Sequence, residues 1–252
     1  MYTTTAKATS SLLYTYLRSI GSTLRVAVAL PDGQIFAEAD DPLGRFIDAQ
    51  QQVGPAIFPL WTIDQINLLS VGFSSRSFAL FARRFEYFVD DSFGGVLMRA
   101  VVTKLGAPVI AISDRDAAAR LRRLRSVISS RPSAFLVVDG RGPYFKVGTG
   151  IVNLASTMRA TVVPCVAASW PYLTLRGTVA RVHLPLPKSR VLLSFGQPTT
   201  FDTWQAGAGA PQEAMVLQQS LLSLFSNARK ACHMSSPVRS KGEHIRSCAK
   251  TN

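Results

Sequence analysis

The stretch from Ser133 to Ser169, SAFLVVDGRGPYFKVGTGIVNLASTMRATVVPCVAAS, constrains the fold most. A short apolar run, Ala134–Val138, stops at Asp139-Gly140-Arg141-Gly142-Pro143. Gly148 and Gly150 then open a helix-like segment, and a second apolar run, Thr161–Ala168, follows. This reads as strand, glycine-rich loop, helix, strand, the unit that joins parallel neighbours through a crossover helix. Open α/β sheets bind ligands in the crevice at the carboxyl ends of their strands. An acid and an arginine set among glycines at such an end suit an anionic ligand. Asp139, Gly140, Arg141, Gly142 and Lys146 are the candidates for holding a phosphate or lipid headgroup. A second feature is an absence: no histidine precedes His183.

The rest of the chain alternates helices and short buried strands. Leu13, Leu17, Ile20 and Leu24 recur at spacings of three and four, which predicts an N-terminal helix over 10–24, turning to strand by Leu30. Asp40–Gln52 is polar, a helix or a loop. Ala56–Trp61 reads as a buried strand and Phe78–Phe81 as a short one. Asp91–Leu105 is the clearest helix, stopped by Gly106 with Pro108 after it. Val109–Ile112 is a strand, and Asp116–Ser130 a second amphipathic helix with Leu121, Leu124 and Ile128 inward. Arg176–His183 and Val191–Phe195 alternate like strands separated by Pro185-Leu186-Pro187, and Gln212–Cys232 is a final helix. The expected fold class is α/β: a central mixed, largely parallel sheet flanked by helices in one domain, residues 1–232. A basic polar tail follows at 233–252.

Lys and Arg number 28 against 15 Asp and Glu, a formal charge of +13. Such an excess favours an anionic partner: nucleic acid, an acidic membrane surface or an acidic protein. Arg115, Arg120, Arg122, Arg123 and Arg125 cluster on the second amphipathic helix and form the expected basic partner surface. Such a helix sits equally well on lipid headgroups, an acidic protein or RNA phosphates. Phe73, Phe78, Phe81, Phe85, Tyr87 and Phe88 are dense around Arg76, Arg83 and Arg84, and core positions are expected for most of these rings. The three cysteines, Cys165, Cys232 and Cys248, fit no metal or disulfide spacing and read as a reducing compartment. No window approaches the roughly 18 uncharged apolar residues of a membrane span. The N-terminal segment lacks acids until Asp32, a composition that overlaps organellar transit peptides.

The order of blocks from about Leu12 to Pro198 resembles the lysophospholipid acyltransferase superfamily, in a branch akin to the lipid A acyltransferases. Gly54-Pro55-Ala56-Ile57-Phe58-Pro59-Leu60-Trp61 resembles the family strand that ends in a Trp-His pair. Asp90-Asp91-Ser92-Phe93-Gly94, with the helix through Leu105-Gly106, resembles the Asp-Gly block. Val138 through Gly150 resembles the Pro-Asp-Gly-Pro-Arg-Gly-Pro block, and Val162 through Ala167 the next strand. Leu184-Pro185-Leu186-Pro187 through Phe195-Gly196-Gln197-Pro198 resembles the closing strands. The resemblance implies transfer of an acyl group from a thioester to a hydroxyl of a lipid acceptor, with no metal or other cofactor. It implies a histidine base oriented by an acid, and a glycine/arginine block that holds phosphate or developing charge.

The sequence departs where that chemistry is decided. The family's histidine is Thr62, and the acid five residues on is Asn67. Asp90 and Asp91 stand in a block without histidine, and Val138 replaces the proline before Asp139. A threonine is no base near neutral pH. These positions, Thr62, Asn67, Asp90 and Asp91, are degenerate, and no catalytic residue is expected. The reading is a pseudoenzyme: an inactive acyltransferase-fold protein serving as a structural or interaction subunit, intracellular and peripheral to a membrane. Its expected partners are acidic proteins or anionic phospholipid headgroups in a hetero-oligomer. Two alternatives stand beside it. One is an active lysophospholipid acyltransferase with Asp64, Asp90 or Asp91 as an unusual base, since burial raises a carboxyl pKa. The other is an RNA-associated accessory protein, supported by charge alone.

Overall fold

The computed structural model describes residues 2–37, 41–90, 93–112, 122–126, 128, 133–139, 144–176, 181–201 and 210–234. Its elements in chain order are α1 (Tyr2–Gly21), β1 (Arg25–Ala29), β2 (Ile35–Phe36), α2 (Asp41–Val53), β3 (Ala56–Leu60), α3 (Gln65–Gly72) and α4 (Arg76–Ala82). They continue with β4 (Glu86–Asp90), α5 (Phe93–Leu105), β5 (Val109–Ile112), β6 (Ser133–Val137), α6 (Thr149–Met158) and β7 (Thr161–Val162). The last are β8 (Cys165–Arg176), β9 (Arg181–Phe195) and α7 (Ala210–His233). A one-turn 3-10 helix, Thr62–Asp64, links β3 to α3.

The parallel part of the expected sheet is a five-stranded sheet in the order β5-β4-β6-β3-β7, every pair parallel. The mixed part is a second sheet, β2-β1-β9-β8, in which β1 runs parallel to β9 and the other pairs are antiparallel. Strand β3 explains why the domain has two cores. All five of its residues are buried, as expected of a parallel strand covered on both faces. Phe58 and Leu60 point into one core with Leu17, Leu69 and Phe195. Ile57 points into the other, with Trp61, Ile151 and Leu217. The period of two across a strand sends alternate side chains to opposite sides. Phe58 is the hub of the first core, with ring centroids 5.1 Å from Phe85, 5.5 Å from Phe135 and 6.0 Å from Phe195. Phe78, Phe81, Phe85 and Tyr87 are buried, as expected of core rings.

Four expected elements come out differently. The run Thr161–Ala168 splits into β7 and the start of β8, in different sheets, and the expected strand Arg176–His183 takes in the last residue of β8 and the first residues of β9. Phe78–Phe81 is helical, part of α4, not a strand. Ser75 caps that helix by accepting from the Phe78 amide at 3.2 Å, and Phe78, Phe81 and Ala82 bury one helical face. The run Pro185-Leu186-Pro187 does not separate two strands; β9 passes through it. The prolines are tolerated because β1 pairs with β9 only from Arg190 onward. The register against β8 also shifts between Trp170 and Tyr172, and irregular edges of this kind accept residues without an amide proton. Of the second amphipathic helix, only residues 122–126 and 128 lie within the described residues, with Leu124 and Ile128 buried.

Helix α1 ends where its backbone meets that of α3. A Cβ built on Gly21 would stand 2.3 Å from the Phe73 carbonyl oxygen. Gly148, just before α6, has nothing within 4 Å. Gly21→Ala is therefore expected to destabilise the fold by about 1–3 kcal/mol, the usual cost of overpacking. Gly148→Ala should leave stability within about 0.5 kcal/mol of the parent. Urea denaturation midpoints measure both.

Candidate functional site

The parallel sheet brings the ends of β3 and β6 side by side, in register from Ala56 opposite Ser133 to Leu60 opposite Val137. The Val138 amide extends that ladder by donating to the Leu60 carbonyl at 3.1 Å. The next residues out, Thr62 and Asp139, therefore meet. Asp139 is 4% exposed. Its Oδ1 accepts from the Thr62 amide at 2.7 Å and from the Thr62 hydroxyl at 2.8 Å. Its Oδ2 accepts from the Phe145 amide at 3.0 Å. The carboxylate is thus consumed by three donors of its own chain.

Phe145 has a φ of 60°, the left-handed region in which a bulky side chain is strained. Its surroundings hold it there. Its amide is bound by Asp139, and its ring packs 5.3 Å from Trp61 and 5.4 Å from Phe225. Two residues on, the Val147 amide donates to Gln218 Oε1 of α7 at 3.1 Å. The loop is fastened to both β3 and α7.

The other expected site residues separate. Asn67 does not face Asp139; its Nδ2 donates to the Ala167 carbonyl at 2.8 Å, within the core. Lys146 is exposed. Asp90 ends β4 in register with Ile112 of β5, away from Thr62. Arg122, Arg123 and Arg125 are exposed. Asp91, Arg115, Arg120, Gly140, Arg141 and Gly142 lie outside the described residues.

A polar cluster lies under this site, of which Asp64 and Asn67 stood out in the sequence only as candidate catalytic positions. Asp64, in the turn after β3, is completely buried, and neither of its carboxylate oxygens has a hydrogen-bond partner. Trp61 Nε1, Asn67 Oδ1 and Ser169 Oγ are buried and unpartnered as well. Burial drives the Asp64 carboxyl well above its ordinary range. The Ala167 backbone, which approaches Asp64 without meeting hydrogen-bond geometry, pulls it partly back, the Asp139 charge adds to the rise, and Arg229 lowers it. His183 is only 5% exposed and stacks on Tyr172 with ring centroids 3.9 Å apart. Burial, helped by the charge of Arg229, lowers its pKa to about 4. It belongs to β9 in the second sheet, not to the Asp139 site.

Between α3, α5 and the ends of β3, β4 and β6 lies a small cavity lined by Leu60, Leu69, Tyr87, Met98, Val102 and Phe135, among others. Its volume of about 30 Å³ admits a water or two and not an acyl chain. Among the described residues, no three His, Cys, Asp or Glu side chains converge as a metal site. No helix among them is long and apolar enough to cross a membrane.

No protein-family model and no curated protein matches the sequence. The fold is similar to the crystal structure of the 1-acyl-sn-glycerophosphate (LPA) acyltransferase PlsC from Thermotoga maritima. That similarity has a TM-score of 0.47 and 11% identity, and covers 92% of this chain and 83% of that one.

The two buried titrating groups set opposite limits on stability. His183 has a folded pKa below its unfolded 6.5, so its contribution is full above 6.5 and is lost as pH falls toward 4. Asp64 has a folded pKa above its unfolded value, so stability falls as pH rises through the range above 4. Thermal melts across pH 4–8 should show His183→Phe flattening the acid limb and Asp64→Asn raising the neutral limb.

Proposed function

We propose that the chain is an acyltransferase-like protein that transfers no acyl group and acts as a structural or interaction subunit of a larger assembly. The observation that carries this reading is the pairing of Thr62 with Asp139. Thr62 stands where the resemblance calls for a catalytic histidine. The geometry there is that of a structural tie: two donors from one residue close on one carboxylate oxygen. A general base needs an unoccupied basic atom within reach of the proton it removes. Thr62 supplies none, and the nearby Asp64 is sealed from solvent.

Other observations agree with the reading. Phe145 and Val147, which follow the expected phosphate cradle, are tied to Asp139 and Gln218 of their own chain. The net charge of +13 supplies a reason for the chain to bind an anionic partner without turning it over.

The test is a turnover assay of the purified chain with an acyl-thioester donor and a lysophospholipid acceptor. No transfer above the uncatalysed background is expected for the parent chain. Transfer that disappears in Asp64→Asn, Asp90→Asn or Asp91→Asn would establish a carboxylate-based enzyme instead. Thr62→His supplies the missing imidazole, and any activity it gains over an inactive parent supports the account.

A further inference from the structure

We infer that the outer half of the β8–β9 hairpin is a docking element for an anionic phospholipid surface, with Leu173 and Leu175 entering the interface and flanking cations meeting the headgroups. This rests on the proposal above only for the claim that the chain works by binding; it does not depend on whether acyl transfer is lost. Strand β1 pairs with β9 only from Arg190 to Ser194. Beyond that, Arg181–Pro185 pairs with Tyr172–Arg176 alone, so these residues form a two-stranded ribbon overhanging the sheet. The ribbon is held firmly at its base. The Tyr16 hydroxyl of α1 donates to the Pro185 carbonyl at 2.8 Å, and Arg229 of α7 donates to the Tyr172 hydroxyl at 2.5 Å.

Val182 and Leu184 of this ribbon pack against the first core, while the two leucines of β8 are left exposed. Leu173 is 51% exposed and Leu175 is 40% exposed. They lie two apart on one strand and so share a face, opposite Leu184 and Val182 across the ladder. Trp170, at the base, is also 40% exposed.

Charge selects the partner. Between Ala160 and Phe201 the sequence contains no Asp or Glu. Arg181 and Lys188 are exposed on β9, and Lys230 is exposed at the nearby end of α7. An apolar edge flanked by cations with no acid among them is complementary to anionic headgroups over acyl chains. RNA fits less well, because single strands bind by stacking on aromatic faces. Here Trp170 packs in a tilted contact against His233 with centroids 3.7 Å apart and Tyr172 stacks on His183, so those rings already have partners. Leu173 and Leu175 would have no part in RNA binding.

The experiment is sedimentation of the full chain with phosphatidylcholine vesicles and with mixed phosphatidylcholine–phosphatidylserine vesicles. Binding to the mixed vesicles and not to the neutral ones is expected. Leu173→Asp with Leu175→Asp should lower the partition coefficient at least about tenfold. Lys188→Gln should lower it about fivefold, the fold-change of about 1 kcal/mol for one basic residue at an anionic surface. Both variants alter exposed side chains, and an unchanged melting temperature verifies their folding. A second readout needs no variant: brominated acyl chains should quench the tryptophan emission of the bound parent chain. Three results overturn the inference. They are failure to bind the mixed vesicles at low salt, binding indifferent to the leucine substitutions, or salt-sensitive capture of RNA in place of vesicles.

Discussion

The carboxylate of Asp139 is the joint on which the candidate site depends. Through Thr62 it locks the end of β3 to the end of β6. Through the Phe145 amide it holds a non-glycine residue in a left-handed conformation that costs about 1–3 kcal/mol when unsupported. Phe145 in turn closes over Trp61 and against Phe225 of α7. One side chain thus couples the parallel sheet, the loop after β6 and the C-terminal helix. Hydrogen bonds to a charged group contribute about 1.5–3 kcal/mol each, enough to offset the strain at Phe145.

Beneath this joint the packing is less complete. Asp64, Trp61, Asn67 and Ser169 bring buried polar atoms with no hydrogen-bond partner into a region between two apolar cores. Each such atom costs of order 1–3 kcal/mol. The domain tolerates them because the aromatic cluster around Phe58 and the second core around Leu217 and Leu221 bury large apolar side chains on both faces of β3. Stability in this fold comes from those two cores, while Asp64 in the polar layer and His183 in β9 set how stability varies with pH.

Much of this arrangement was legible in the sequence. Ala56–Leu60 reads as a continuous apolar run because a parallel strand is covered on both faces, and that made β3 recognisable. The strand–loop–helix–strand unit was recognisable for the same reason, its glycines marking where the chain turns. The pairing of Thr62 with Asp139 was not legible: the sequence set Asp139 aside for a ligand, and only the in-register β3–β6 ladder brings the two residues together. Other features were hidden by their physics. Phe78 and Phe81 have strand propensity, and the Ser75 cap together with the burial of Phe78, Phe81 and Ala82 on one helical face favours helix. Prolines at 185 and 187 read as a break, yet the partial pairing of β9 with β1 removes their penalty. The isolation of Asp64 arises from the packing of α3 against the second sheet, which sequence periodicity does not encode.

The central claim is that Thr62 and Asp139 form a structural tie in place of a catalytic pair. A double-mutant cycle measures it directly, from the urea-unfolding free energies of the parent, Thr62→Val, Asp139→Asn and the double variant. The account predicts a coupling of about 1.5–3 kcal/mol, as for a buried hydrogen bond to a carboxylate. A coupling indistinguishable from zero would contradict it, because the two residues would then contribute independently and Asp139 would be unoccupied for another role.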